Sequence, residues 1–364
     1  MNVALLYDRV NRFGGAERVM MALHELFPKA PLYTLVHDTK QSEWAKNCEI
    51  VPTWMQRIPL AKKHHEWFPV IPIFAYETID FKKFDVVISV TATEAKGIIT
   101  APSTTHICYC LTPTRYIWTH YNDYFRKQPF KTISLPFVSG LRVWDQVAGQ
   151  RPDVMVAISK TVAARIYKYY RRQAPVIYPP VDTDMFTPEK ITREHFLLIV
   201  SRAVHYKHID IAIAASQQLK IPLKIVGIGN ELTQLKKSAG SGVEFLGDLT
   251  DSELIHYYRR CRALIFAQEE DFGLVAVEAM ACGSPVIAYG RGGATETVIS
   301  GITGEFFHLQ TVEALKKTLL KSSTTQYNSM ACRKQALQFS KSLFMQRFKK
   351  FVTTSFNKET SEIN

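Results

Sequence analysis

The stretch Ala263-Leu-Ile-Phe-Ala267, followed by Leu274-Val-Ala-Val-Glu-Ala-Met-Ala281 and Val286-Ile-Ala288, decides the fold of this chain. A short apolar run, a longer helix-forming segment and a second short apolar run predict a strand, a helix and a strand. Because neither run alternates with polar residues, we expect both faces of each strand to be buried. This pattern predicts a parallel sheet covered by helices on both sides.

The same alternation extends over the whole chain and falls into two series. The predicted strands of the first series are Val3–Tyr7, Leu32–Val36, Val86–Val90, Ile107–Cys110 and Val154–Ile158. Those of the second are Phe196–Val200, Leu223–Val226, Val243–Leu246, Ala263–Ala267 and Val286–Ala288. Predicted helices between them include Ala16–Phe27, Thr161–Tyr170, Ile209–Leu219, Ser252–Cys261, Leu274–Ala281 and Val312–Leu320. The proline-rich stretch Tyr178–Pro188 separates the two series. We therefore predict an α/β chain with two Rossmann-like, doubly wound domains that face a cleft, residues 1–186 and 187–340.

Length and composition exclude several classes of protein. A chain of 364 residues is long enough for two domains of roughly 100–200 residues each. The apolar fraction of 46% and the charged fraction of 21% are globular values, which excludes disordered and collagen-like chains. No apolar run reaches the length of about 18 residues that spans a membrane, and Met1–Asp8 resembles a buried strand more than a signal peptide. Six cysteines without a Cys-x-x-Cys pair predict neither disulfides nor zinc, so we expect a reducing cytoplasm.

The net charge of +12 is spread over both halves of the chain. Residues 1–186 hold 23 basic and 16 acidic side chains, and residues 187–364 hold 22 and 17. A basic protein attracts anions, and composition alone leaves nucleotides, acidic lipid surfaces and nucleic acids open as partners.

The acidic loop Glu269–Asp271 and the helix after it form the clearest candidate site. The helix is predicted to begin near Gly273, where free backbone N–H groups and the positive end of the helix dipole can cradle a phosphate. Glu270 precedes this helix and Glu278 lies eight residues further on, so one carboxylate can hold sugar hydroxyls and the other a ribose. Acids at a helix start can also simply complement the dipole. We favour a functional role because Glu278 lies in an otherwise apolar helix, where an acid without a partner is costly.

Arg202 and Lys207 form a second candidate site after the predicted strand Phe196–Val200. Two cations at the carboxyl end of a strand can neutralise a diphosphate leaving group, although either one alone would be typical of a solvated surface. His205 and His208 lie beside them and are predicted to be surface residues.

Two glycine-rich loops follow predicted strands, one with Gly14 and Gly15 and one over residues 289–296. The spacing of the first differs from a dinucleotide-binding fingerprint, which disfavours NAD. Glycine lets a backbone approach a ligand closely, but it most often marks a turn.

Metal-site and P-loop motifs are not found in the sequence. Asp182-Thr-Asp184 matches the Asp-x-Asp pattern of metal-dependent sugar transferases, but it lies in the proline-rich connection, where we predict a turn. No Cys, His and carboxylate spacing suits zinc, and no Gly-x-x-x-x-Gly-Lys-Ser/Thr segment is present. We therefore expect no metal and no cofactor.

Several motifs taken together resemble those of one enzyme family. They are Gly14-Gly-Ala-Glu17, Ala95-Lys-Gly97, Pro113-Thr-Arg-Tyr-Ile-Trp118, Pro179-Pro-Val-Asp-Thr-Asp184, Ser201-Arg202 with Lys207, and Glu270-Asp-Phe-Gly273 running to Glu278-Ala-Met-Ala281. Over nearly its whole length the chain resembles the retaining glycosyltransferases of family 4, particularly a bacterial mannosyltransferase-like branch of surface-polysaccharide biosynthesis. The resemblance implies the GT-B architecture, with a C-terminal helix in residues 341–364 that crosses back to the first domain.

The resemblance also implies a role for individual residues. Arg202, Lys207 and Glu270 would be the catalytic residues, the two cations on the donor diphosphate and the carboxylate on the transferred sugar. Glu278 would bind the nucleotide ribose. The other donor-binding residues that it implies are Gly14, Gly15, Phe272, Gly273, Leu274 and Val275. The acceptor-binding residues that it implies are Arg115, Tyr116 and Trp118.

The chain departs from the family pattern at two positions. Leu111 stands where the branch has a histidine, and a second expected histidine is replaced by Ala92. Leucine and alanine carry no ionisable or hydrogen-bonding side chain, so another residue must take over or the activity is altered. His106 and His120 are the candidates nearest in sequence.

The predicted reaction transfers a hexose to a hydroxyl of a growing glycan, either free or lipid-linked, with retention and without a metal. GDP-mannose is the first choice of donor and a UDP-hexose the second, so the expected partners are a nucleotide sugar and a glycan acceptor. Basic and aromatic segments at 59–68 and 125–131 suit either peripheral contact with an acidic membrane or a solvated basic face. The expected location is cytoplasmic, either free or peripheral on the inner face of the membrane.

Three other functions remain open at this point. A catalytically silent homologue that acts as a scaffold in glycan assembly would fit the missing histidines. A nucleotide-sugar 2-epimerase would share the two-domain plan but needs acid–base groups that the sequence does not place. A nucleic-acid-binding protein would explain the charge, but the chain has no recognised motif of that kind, so we expect no nucleic acid partner.

Overall fold

The computed structural model describes residues 1–62, 67–68, 70–119, 121 and 131–363, with the backbone alone at 131–135 and 358–363. The chain divides into two compact units, Met1–Pro180 with Ser342–Asn364, and Val181–Lys341. Each unit contains a six-stranded sheet whose strands all pair in parallel. The predicted α/β class with two doubly wound sheets is therefore confirmed.

The first unit is built on strands β1 to β6. They are β1 (Val3–Tyr7), β2 (Leu32–Thr34), β3 (Ile50–Pro52), β4 (Val86–Thr91), β5 (Thr105–Cys110) and β6 (Val154–Ala157). Its described helices are α1 (Gly15–Leu26), α2 (Ile71–Glu77), α3 (Lys131–Ala148), α4 (Lys160–Tyr170) and, at the end of the chain, α12 (Lys341–Ile363).

The second unit is built on strands β7 to β12. They are β7 (Leu197–Val200), β8 (Leu223–Val226), β9 (Val243–Gly247), β10 (Ala263–Phe266), β11 (Val286–Tyr289) and β12 (Gly304–Phe307). Its helices are α5 (Ile209–Leu219), α6 (Leu232–Ser238), α7 (Asp251–Arg260), α8 (Leu274–Ala281), α9 (Ala294–Thr297), α10 (Val312–Ser323) and α11 (Ser329–Ala336).

Both sheets have the same strand order. The first runs β3-β2-β1-β4-β5-β6, and the second runs β9-β8-β7-β10-β11-β12 when it is read in the same direction. The chain changes direction between β1 and β4 in one sheet and between β7 and β10 in the other. In open parallel sheets, ligands bind at the carboxyl ends of the strands at such a switch point. The fold therefore predicts one binding region in each unit.

The sequence patterns missed one edge strand in each sheet, β3 (Ile50–Pro52) and β12 (Gly304–Phe307). Both are short, and they contain proline or glycine, which are rare inside central strands. Proline has no backbone N–H to donate, but the outer side of an edge strand faces no partner strand, so Pro52 costs the sheet no hydrogen bond there. The weak sequence signal follows from the proline and glycine, since the other two edge strands, β6 and β9, were predicted.

The C-terminal helix α12 packs on the first unit. The rings of Phe344 and Phe348 lie 5.9 and 5.5 Å from the ring of Tyr109 on β5, both in edge-to-face geometry. Phe344, Phe348 and Val352 are 2%, 0% and 0% exposed, so the helix adds apolar side chains to the core of this unit.

No helix in the described ranges is both long enough and apolar enough to cross a membrane.

Candidate active site

An ion pair spans the switch point of the second sheet. Lys207 follows β7 and Glu270 follows β10, and Lys207 Nζ donates a hydrogen bond to Glu270 Oε1. The two side chains are only 9% and 16% exposed. Because the two strands are neighbours in the sheet, loops that are 63 residues apart in sequence meet at one edge. The structure thus brings together two of the three predicted catalytic residues.

The third predicted catalytic residue, Arg202, is linked to Lys207 through Tyr206. Arg202 Nη2 donates to the Tyr206 hydroxyl over 3.2 Å, and Lys207 Nζ lies 5.1 Å from the centre of the Tyr206 ring. A 3₁₀ turn, His205–Lys207, followed by His208 in the left-handed region at φ 51°, shapes this loop. Two cations therefore share one loop at the carboxyl end of β7.

The helix α8 begins at the predicted place. Gly273 is its N-cap and has a φ of +90°. A Cβ atom at this position would lie 2.8 Å from Cζ of the Phe266 ring, so glycine is needed both for the backbone angle and for space. The first backbone N–H groups of α8 follow directly after the loop that carries Glu270, and their role as a phosphate cradle stays a prediction.

The glycine-rich loop at residues 289–296 packs against the backbone of the acidic loop and of Phe272, which follows it. Gly293 N donates to the Glu270 carbonyl over 2.8 Å. A Cβ atom on Gly293 would lie 2.3 Å from Phe272 Cα. This hydrogen bond and the close backbone approach hold the Glu270–Phe272 segment in place. The sequence analysis did not assign this role to the loop.

Glu278 is buried in α8, with 5% of its surface exposed, and it accepts a hydrogen bond from the Tyr258 hydroxyl over 3.1 Å. The phenol on α7 is therefore one group that offsets the cost of burying this acid. Sequence reasoning missed Tyr258. The available signal was a tyrosine on the apolar face of the amphipathic helix Asp251–Arg260, where a hydroxyl is normally buried only with a partner.

Gly14 and Gly15 lie at the start of α1 in the first unit, where Gly14 is the N-cap. Glu17 of the same turn is 2% exposed and accepts a hydrogen bond from the Tyr7 hydroxyl. Burial and, after it, the nearby Glu17 carboxylate raise the pKa of Tyr7 well above its usual value. The donor-binding role of the two glycines stays a prediction.

A second ion pair spans the switch point of the first sheet. Arg9 follows β1 and Glu94 follows β4, and Arg9 Nη2 lies 2.8 Å from Glu94 Oε2. The Tyr116 hydroxyl lies 3.4 Å from the other oxygen of Glu94. Burial opposes ionisation of Glu94, but the Arg9 guanidinium and further hydrogen bonds hold its pKa below the usual value. Sequence reasoning did not single out either Arg9 or Glu94, because the two residues meet only through the parallel pairing of β1 and β4.

Asp145 on α3 organises the segment that carries the predicted acceptor residues. Its carboxylate accepts hydrogen bonds from Thr114 Oγ1, Trp118 Nε1 and the Tyr170 hydroxyl, each 2.7 Å long. Lys96 Nζ also lies 2.7 Å from it, and the two side chains are 1% and 0% exposed. The Trp118 N–H is therefore bound within the protein, and the face of its ring stacks on Tyr169 at 4.6 Å. Arg115 is half-buried beside them.

No imidazole occupies the two positions where the family pattern has histidine. The Ala92 N–H donates to Asp8 Oδ2, and the Leu111 N–H to the Thr91 carbonyl. His106 is fully buried 2.8 Å from Ser89 Oγ, and burial lowers its pKa to about 3, so it is neutral at pH 7. Three parts of the chain considered above lie outside the described residues: His120, residues 63–66 of the segment 59–68, and residues 125–130 of the segment 125–131. The structure therefore offers His106 no catalytic role.

Asp182 forms the turn predicted for the proline-rich connection. Its Oδ1 accepts from Met185 N over 3.0 Å, and its carbonyl accepts from Phe186 N over 2.9 Å. This geometry is typical of a turn rather than of a metal ligand.

A comparison with known families matches residues 181–339 to the glycosyl transferases group 1 family. An uncharacterised glycosyltransferase of Methanocaldococcus jannaschii is 30% identical over 185 residues, which are 50% of this chain and 52% of that protein. The D-inositol 3-phosphate glycosyltransferase of Thermobifida fusca is 29% identical over 192 residues, 42% of this chain and 43% of that protein. The chain thus spans about half the length of the curated relatives it matches.

Among solved structures, HepE of Anabaena, crystallised with UDP, superposes with a TM-score of 0.69 at 18% identity. The superposition covers 97% of this chain and all of that one, so it shows a common fold over nearly the whole length. The match to the glycosyl transferases group 1 family covers residues 181–339, nearly all of the second unit, and the whole chain has the GT-B fold.

Proposed function

We propose that this chain transfers a hexose from a nucleoside-diphosphate sugar to a hydroxyl of a growing glycan, with retention and without a metal ion. The observation that carries the proposal is the contact of Lys207 with Glu270 at the switch point of the second sheet, beside the start of α8. Three kinds of group then lie at one edge of one sheet. They are cations that suit a diphosphate, a carboxylate that suits sugar hydroxyls, and a helix start that suits a phosphate.

The chemistry of the step explains why these groups are needed. The bond between the sugar C1 and the diphosphate oxygen breaks, and negative charge grows on the leaving group. Arg202, Lys207 and the N–H groups at the start of α8 stabilise that charge. The acceptor oxygen forms the new bond to C1 on the same face, and its proton passes to the departing phosphate. No protein base is needed for this balance.

Two nucleotide sugars are proposed as the donor, in order of preference. GDP-mannose comes first because the motifs resemble a mannosyltransferase-like branch. A UDP-hexose is second, and the UDP in the HepE crystals supports it at the level of a shared fold. Glu278 would hold the ribose of either nucleotide, and Phe272, Gly273, Leu274 and Val275 would supply backbone contacts.

The acceptor is proposed to bind at the switch point of the first sheet. Arg9 and Glu94 form a charged pair there, and Arg115, Tyr116 and the stacked ring of Trp118 lie on the same segment as the partners of Asp145. A glycan offers hydroxyls to the charged groups and the faces of its rings to aromatic side chains. A lipid-linked acceptor and peripheral membrane contact belong to the same proposal, as does a cytoplasmic location.

The test is proton NMR of the purified chain with GDP- and UDP-sugars in EDTA. We expect slow hydrolysis of one donor, and we expect Lys207→Met and Arg202→Gln to lower the rate more than the donor affinity. Lys237→Met, an exposed lysine on α6, is the matched control and should hydrolyse the donor at the unchanged rate. If no donor in the panel binds or breaks down, the proposal is wrong.

A silent scaffold in glycan assembly is the second candidate function. It is favoured by the positions of Ala92 and Leu111, where only backbone groups are bonded and no imidazole is present. This function predicts that a nucleotide sugar binds and is neither hydrolysed nor transferred. Adding an acceptor mixture to the NMR assay separates the two, because only the transferase consumes donor.

A further inference from the structure

A small cavity lies at the amino-terminal edge of the second sheet, at the opposite end of the strands from Lys207 and Glu270. It measures about 180 Å³ and is lined by Arg193, Arg262, Thr325 and Tyr327, together with Leu197 and Ala263 at the starts of β7 and β10. Pockets for drug-sized ligands measure roughly 300–1,000 Å³, so this one suits a smaller group.

Neither arginine has a carboxylate partner among the described residues. The ion pairs in the described part of the chain join the nearby acids to other cations, Glu194 to Arg260 at 3.4 Å and Glu305 to Lys321 at 2.7 Å. Arg193 Nη2 donates to the carbonyl of Gly283, which is neutral.

The titratable groups nearest to Arg193 are two thiols. They belong to Cys261 and Cys332, and burial raises the pKa of each to about 11. Both thiols are therefore uncharged at pH 7. Burial also lowers the pKa of Arg193, which is the electrostatic signature of a cation withdrawn from water without a counter-ion.

Arg262 adds a second cation to the same cavity. Its backbone N–H donates to the Phe196 carbonyl over 2.8 Å, which holds it next to the start of β7. Its Nη1 lies 3.2 Å from His195 Nε2, and since arginine can only donate, the imidazole accepts through this nitrogen. The other N–H groups of this planar fork are left for a ligand in the cavity.

From the two uncompensated guanidinium groups we infer that this cavity binds a tetrahedral oxyanion of the phosphate class. Arginine forks match the geometry of phosphate oxygens, and the Thr325 and Tyr327 hydroxyls in the lining add polar groups. The site lies at the amino ends of the strands and is separate from the proposed diphosphate site. An anion that binds only the folded chain stabilises the second unit by mass action. This inference does not depend on the proposed function.

The test is a titration of the purified full chain with inorganic phosphate, followed by scanning calorimetry and titration calorimetry. Sodium chloride at matched ionic strength controls for screening. We expect a saturable rise in the unfolding temperature of the second unit. Arg193→Gln and Arg262→Gln should each weaken phosphate binding at least tenfold. Arg260→Gln, a neighbouring arginine already paired with Glu194, should leave the affinity within twofold.

Phosphate can also bind at Arg202 and Lys207, so the titration is repeated on an Arg202→Gln, Lys207→Met double variant. If phosphate still raises the unfolding temperature of this double variant, the result supports binding in the cavity. The inference is overturned if phosphate acts no more strongly than chloride, if the double variant loses the effect, or if Arg262→Gln keeps full affinity. If Arg193→Gln does not fold, the phosphate affinity of Arg262→Gln serves as the test by itself.

Discussion

Two oppositely charged side chains meet at each switch point, and in each case the partners follow different strands. Lys207 meets Glu270 in the second unit and Arg9 meets Glu94 in the first. In both pairs the cation follows the first strand of the sheet in chain order and the glutamate follows the fourth. Partly buried pairs of this kind hold their groups in fixed positions, because either charge left alone would be costly.

Asp145 gives a stability prediction at the residue scale. Asp145→Asn removes the charge that offsets the buried ammonium of Lys96 and places an amide NH2 group, itself a donor, where two donors point. We expect the free energy of unfolding of the first unit to fall by about 3–5 kcal/mol. All five tryptophans lie in residues 1–180, so denaturation followed by tryptophan fluorescence reports this unit alone. Asp80→Asn, an exposed carboxylate, should change the value by less than about 0.5 kcal/mol.

His106 gives a pH prediction. Its pKa is lowered to about 3 in the folded chain, against an ordinary value of 6.5. The unfolded chain therefore binds more protons between these values, and stability falls as the pH falls below about 6.5. Between pH 6.5 and 5 the loss is about 2 kcal/mol. It is measured by tryptophan-detected urea unfolding at each pH.

His106→Gln keeps a hydrogen-bonding group near Ser89 but cannot take up the proton, so it should remove this part of the pH dependence. His24→Gln, the control on α1, should retain it. An unchanged slope in His106→Gln would contradict the assignment.

At the scale of elements, the start of α8 depends on a single glycine. Gly273→Ala places a Cβ atom against the Phe266 ring and forces alanine to adopt a φ of +90°. We expect a loss of stability of about 1–2 kcal/mol from the backbone angle alone and a further loss of nucleotide-sugar affinity, because the N–H groups of the first turn shift. Calorimetry and donor titration measure the two effects.

Gly301→Ala is the matched control for this prediction. Gly301 also has a positive φ, +76°, but a Cβ atom there would meet nothing within 4 Å. It should lose a similar amount of stability from its backbone angle and keep its affinity for the donor. If both variants bind the donor equally, the start of α8 does not contact the phosphate.

At the scale of the whole molecule, the first unit is completed by the end of the chain. Phe348→Ala removes a fully buried ring that packs on Tyr109, and we expect a cost of about 3–5 kcal/mol in the first unit. Tryptophan fluorescence should show the destabilisation, while calorimetry should show that the second unit unfolds as before. Arg347→Ala on the same helix should have little effect. Equal stability of Phe348→Ala and the parent chain would contradict the packing.

The sequence patterns predicted the elements that are buried on both faces. The central strand β10 is an unbroken apolar run, and β4 is apolar except at Ser89 and Thr91. Both faces of each strand are covered, so their signal survives in the sequence alone. The strands β3 and β12 were missed because β3 has only three residues, one of them proline, and β12 contains Gly304 and Glu305. The start of α8 was predicted correctly because glycine at a helix N-cap is a local signal.

The sequence by itself determined the α/β class, the two series of strands and helices, and the candidate residues Arg202, Lys207 and Glu270. Only the tertiary structure decided which side chains meet. The pairs Lys207–Glu270 and Arg9–Glu94 and the Tyr258–Glu278 hydrogen bond join segments from 20 to 85 residues apart. The four donors around Asp145 likewise converge from separate elements. The physical reason is that parallel strand order sets these distances, and strand order is a property of the packed sheet, which no local stretch of the chain encodes.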